Sequence, residues 1–60
     1  MTVGKLYYQC DNLGSSTVFF VYKGREFIGE FNYMALPAWV DKRELRGFKI
    51  VDETNVIIHI

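Results

Sequence analysis

Cysteine and histidine occur once each in this sequence, as Cys10 and His59, and proline once, as Pro37. A single cysteine excludes an intrachain disulfide. One cysteine and one histidine together exclude the zinc-binding spacings that hold many small domains together. Charge of one sign is also lacking, since seven Lys and Arg balance seven Asp and Glu. A chain built to grip a phosphate backbone usually carries a basic excess. The longest uninterrupted apolar run covers residues 18–22, far below the roughly 20 residues that cross a bilayer as a helix. Met1, Thr2, Val3, Gly4 and Lys5 do not form the charged-then-apolar pattern of a signal peptide. A lone thiol without that pattern predicts a reducing, cytoplasmic setting. Repeats, low-complexity tracts and linkers are missing too, so the 60 residues read as one domain.

Apolar surface is what the chain has in excess. Half of its residues are hydrophobic and 17% are aromatic. A chain of this length buries only about 60% of the surface its unfolded form exposes. Disulfides, metals or oligomerisation usually make up the shortfall. The first two are excluded by composition, so association is the expected remedy.

Alternation predicts a first strand over residues 3–10, with Leu6, Tyr8 and Cys10 on one face and Lys5, Tyr7 and Gln9 on the other. The turn formers of residues 11–16 end it. Residues 17–33 read as a β-hairpin. Thr17, Val18, Phe19, Phe20, Val21 and Tyr22 are β-branched or aromatic throughout. Lys23 and Gly24 supply a two-residue turn. That turn sets Phe20 opposite Phe27, Val18 opposite Gly29 and Tyr22 opposite Arg25. It makes Val18, Phe20, Phe27 and Phe31 the core face, and leaves Phe19, Val21 and Ile28 on a second, half-apolar face. Gly29 in mid-strand predicts a bulge, or room for a large neighbour such as Phe20 or Trp39.

Residues 36–46 are the helical candidate, with Pro37 at a first helical position and Gly47 beyond the end. Their apolar stripe suits one continuous helix poorly. A single turn after Pro37, then a second capped by Asp41 with Glu44 three residues on, fits as well. Residues 48–51 and 56–60 flank the polar turn Asp52, Glu53, Thr54, Asn55 and read as a second hairpin. The predicted fold is therefore α+β and strand-dominated. It is a small antiparallel sheet or partly open barrel of about five strands, in the order β-β-β-α-β-β, with one short helix.

Chemistry-bearing motifs are weak. Cys10 ends an apolar stretch with no base near it in sequence, so a buried structural thiol is expected. Asp52 and Glu53 are turn residues, and Asp41 and Glu44 a capping pair. The five glycines are scattered, and no G-x-S-x-G, H-E-x-x-H or G-x-x-x-x-G-K pattern occurs. No catalytic residue, cofactor or metal site is expected. The chain reads instead as a non-enzymatic protein-interaction module, first a homodimer. An inhibitor or adaptor of the kind that phages and other mobile elements encode is the form expected. Its partner-binding residues are predicted as Tyr7, Phe19, Val21 and Ile28 on the sheet with Trp39 as an anchor, beside an exposed edge at residues 56–60. The alternative is a small nucleic-acid-binding domain using Lys42, Arg43, Arg46 and Lys49 with nearby aromatics.

Overall fold

The computed structural model of the chain describes residues 1–10 and 13–60, with every side chain in those ranges except that of Tyr7. Helix α1 (Val3–Gln9) leads into strands β1 (Val18–Lys23) and β2 (Glu26–Asn32). A 3-10 turn (Tyr33–Ala35) and helix α2 (Ala38–Asp41) follow, then strands β3 (Gly47–Ile50) and β4 (Asn55–His59). The strand-dominated α+β class predicted above holds, as one open four-stranded sheet in the order β2-β1-β4-β3. Both hairpins form and are antiparallel, while β1 and β4 pair in parallel, so the sheet is mixed.

The first segment departs from its prediction. It is helix, with Val3 and Leu6, three residues apart, buried on one side of it. Tyr8, needed on the buried side of a strand, is 77% exposed. Tertiary packing of this side overrides the modest helix propensity of Val and Tyr. The segment is also pinned at its start, where Val3 N–H donates to the Arg43 carbonyl and Leu45 N–H to the Met1 carbonyl. Of the expected turn over residues 11–16, Asp11 and Asn12 lie outside the described residues.

The β1–β2 hairpin turns one residue later than predicted. Lys23 pairs with Glu26, so Gly24 and Arg25 form the loop, and Gly24 takes φ 61°, a conformation that a Cβ disfavours. A bulge then shifts the register between Val21 and Tyr22, so that Phe19 pairs with Phe31, Phe20 with Glu30 and Tyr22 with Phe27. Gly29 accompanies this bulge, and the large neighbour it makes room for is Phe31, whose ring would crowd a Cβ there. In the 36–46 segment only the first turn forms. Beyond Lys42 the chain extends, Glu44 bridges to Thr2, and the predicted capping pair with Asp41 is not made.

The core lies on one face of the sheet. Phe19 and Val21 from β1 and Val56 and Ile58 from β4 meet Val3, Leu6, Leu13 and Val40, all buried. The Tyr33 ring closes edge-on against Phe19, with centroids 5.9 Å apart. Residues 33–46 run from the β2 edge across this face to the β3 edge, carrying α2 with them. Thr17, buried among apolar groups, joins the parts. Its hydroxyl accepts from Gly14 N–H (3.0 Å) and donates to the Glu53 carbonyl (3.1 Å), while its own carbonyl accepts from Tyr33 N–H (2.9 Å). Thr17→Val keeps the shape and strands both hydroxyl partners, so denaturant unfolding should show a loss of about 1–3 kcal/mol.

The β3–β4 turn is organised by Asp52. Its Oδ1 accepts from the backbone N–H of Thr54 (2.8 Å) and of Asn55 (2.9 Å), and the Asn55 amide reaches both carboxylate oxygens. The Thr54 backbone donor, then the side chains of Asn55 and Thr54, hold the carboxyl below its ordinary value of 3.8. A lowered folded-state pKa means that the stabilisation is complete above the unfolded value and is lost as pH falls through the folded one. Urea midpoints measured on acidification should therefore fall more steeply below that ordinary value for the wild type than for Asp52→Asn.

Candidate interaction surface

Side chains alternate across the strands, so the residues between those of the core side form the opposite face of the sheet, while Phe48 and Ile50 of β3 share the core side and remain exposed. The pairing arranges the residues of the opposite face in rows. One row runs Glu30, Phe20, Ile57, Lys49 from β2 to β3, and the next runs Phe27, Tyr22, His59, Gly47. Val18 stands between Asn32 and Asn55 in a third row. Tyr22 is the centre of a ring cluster, with Phe27 at 5.2 Å and His59 at 5.7 Å. Both helices carry buried residues into the core on the other side, and among the described residues no element crosses this face. Phe27 is 50% exposed, while Phe20, Tyr22 and Ile57 are half-buried by their strand neighbours.

This arrangement exchanges the two faces predicted from sequence. Phe19 and Val21 have no exposure and belong to the core, because Val3 and Leu6 of α1 and Val40 of α2 pack on their side of the sheet. Ile28 packs against that core as well. Trp39 is 52% exposed, but it sits on α2, across the sheet from Phe20 and Phe27. Tyr7 is in α1, and its side chain lies outside the described residues. The residues that do share an uncovered face are Phe20, Tyr22, Phe27 and Ile57. Alternation in β1 narrows the choice to two faces, and no sequence signal separates them. The predicted edge also moves. β4 is central, between β1 and β3, and the free edges belong to β2 and β3.

Total exposure gives this face its significance. The molecule exposes 4056 Å², about what a compact monomer of 7.0 kDa should expose. The apolar excess is thus not a symptom of loose packing. It reflects which side chains the fold leaves outside: Phe27 on this face, and Tyr8, Met34, Trp39, Phe48, Ile50 and Val51 away from it.

The basic residues are divided. Arg43 and Arg46 line one cleft with Lys23, Gly24 and Ile60 at the end of the sheet. Lys49 lies in the Phe20 row of the uncovered face, and Lys42 caps α2. Of the four predicted basic residues, Arg43 and Arg46 are the two that line this cleft. Glu44, between the two arginines in sequence, bonds the Met1 ammonium at 2.7 Å, and that hydrogen bond and charge lower its pKa. Cys10 packs on the core side and His59 stands on the uncovered face, so the sheet lies between them. Among the described residues no three His, Cys, Asp or Glu side chains converge as a metal site, and no helix is long and apolar enough to cross a membrane.

Comparison with protein-family models, with curated proteins and with solved structures finds no match. The class is therefore set by the architecture alone: a small α+β domain whose four-stranded mixed sheet is layered by helices on one side only.

The exchange of faces is directly measurable. Phe19→Ala should cost about 3–5 kcal/mol in chemical unfolding, as expected for a core aromatic. Phe27→Ala should cost about 1 kcal/mol or less, the scale of one cross-strand pair. Equal losses would contradict the assignment of faces.

Proposed function

We propose that the chain is a non-enzymatic protein-interaction module of the adaptor or inhibitor type, and that its first partner is a second copy of itself. The observation that carries this reading is the row Glu30, Phe20, Ile57, Lys49, apolar at its centre with opposite charges at its two ends. A copy turned by a two-fold axis along the strands brings Glu30 over the partner's Lys49, and Lys49 over the partner's Glu30. Phe20 then meets Ile57 in the same row. Sheets packed face to face lie about 10 Å apart with strand directions within about 30°, a geometry that keeps such rows in register. The interface is isologous and closes on itself. Phe20, Tyr22, Phe27 and Ile57 supply the apolar contact, since rim ion pairs contribute only about 0.2–1 kcal/mol each. The charges select the register. A foreign protein would compete for the same aromatic face.

Charge reversal tests this reading by sedimentation equilibrium. Glu30→Lys alone and Lys49→Glu alone should each weaken self-association about tenfold or more, because each sets like charges together at two places. The double reversal should restore association towards the wild-type level. A wild type that remains monomeric at its highest soluble concentration, or a double variant as weak as the singles, contradicts the proposal.

A further inference from the structure

The cleft at the end of the sheet is independent of the aromatic face. Lys23 closes β1, while Arg43 and Arg46 come from the connection between α2 and β3. Gly24 and Ile60 complete a cleft of about 390 Å³. Backbone bonds hold the cleft in place. Ile60 N–H donates to the Tyr22 carbonyl at 2.9 Å, Arg46 N–H to the His59 carbonyl at 2.8 Å, and Val3 N–H to the Arg43 carbonyl at 3.0 Å. Three of the seven basic residues of a chain with no net charge therefore face one cavity.

Among the described residues no acid forms an ion pair with them. Neither the α-carboxylate of Ile60 nor any side-chain carboxylate among the described residues makes an ion pair with Lys23, Arg43 or Arg46, the only such pair being Met1 with Glu44. Glu44 is thereby drawn away from its flanking arginines. Asp41 lies against Gly4 of α1, and Glu26 faces Lys23 across the hairpin without pairing. Three like charges around one cavity repel one another unless an anion joins them. Two guanidinium forks and an ammonium match the oxygens of a phosphate group. The volume falls within the range of small-molecule pockets, roughly 300–1,000 Å³, so it leaves room for more than one phosphate or for a small body attached to one.

The geometry points to a phosphate-binding site formed by Lys23, Arg43 and Arg46, for a ligand that presents a phosphate group as a free compound or as part of a nucleic-acid backbone. It goes beyond the interaction reading and does not depend on it. The test is an amide-resolved NMR titration of the whole chain with pyrophosphate in a chloride buffer at low salt, repeated with adenosine monophosphate and with a short oligothymidylate. Pyrophosphate should give saturable shifts at Gly24, Arg43 and Arg46. Arg43→Gln with Arg46→Gln should weaken it about tenfold or more, as expected on losing two charge-assisted contacts. Lys5→Gln with Lys42→Gln, which removes equal charge outside the cleft, should change it by less than about twofold, the scale of screened long-range charge. The Glu30→Lys variant, weakened in self-association, should bind as the wild type does, which separates this site from the sheet face. Tighter binding of the oligothymidylate than of pyrophosphate assigns the phosphate to a nucleic-acid backbone, and equal or weaker binding assigns it to a free compound. Shifts that do not saturate, or an equal loss in both variant pairs, overturn the proposal.

Discussion

The parallel pairing of β1 with β4 is the constraint on which the rest of the molecule depends. Two strands running the same way cannot be joined by a tight turn, so the chain between them must cross the sheet. Here it leaves the β2 edge, passes over one face as the 3-10 turn and α2, and returns through β3. Thr17 holds the start of that pairing. Its hydroxyl ties the 13–16 loop to the β3–β4 turn, and the next residue, Val18, donates its N–H to the Thr54 carbonyl at 2.7 Å.

One crossing and one short helix are all that so few residues can provide, and both lie on the same side. The core is correspondingly small and built around Phe19, Val21, Val56 and Ile58. Among the described residues no layer covers Phe20, Tyr22, Phe27 and Ile57 on the other face. Covered face, uncovered face and basic cleft are thus three consequences of one topology. The cleft forms where β1 and β4 end side by side and the α2–β3 connection passes their ends.

Much of the fold was legible in the residues. Both hairpins, the helical turn after Pro37 and the polar turn at Asp52 follow from local pattern and turn chemistry. The run at residues 18–22 is apolar on both faces, as expected of a strand central to a sheet, and β1 is central, whereas residues 56–60, expected at an edge, form the other central strand. The reading failed where two periods competed. Val3 and Leu6 suit one side of a helix, while Leu6, Tyr8 and Cys10 match a strand, and the segment is too short for either period to dominate. The candidate site failed on the choice of face. Phe20 and Phe27 do share a face, as expected, and the bulge moves only Phe31 to the other one. What alternation could not tell was which of the two faces the helices cover, and they cover that of Phe19 and Val21.

The sequence by itself determined that this chain is a small, neutral, strand-rich domain with more apolar surface than it can bury, because composition, length and short-range periodicity are properties of the chain alone. Only the tertiary structure decided which surface that is. The choice between Phe19 and Phe20 rests on a parallel partner about forty residues away and on the side taken by the helices and the crossing chain. Those are long-range contacts, and no local pattern encodes them.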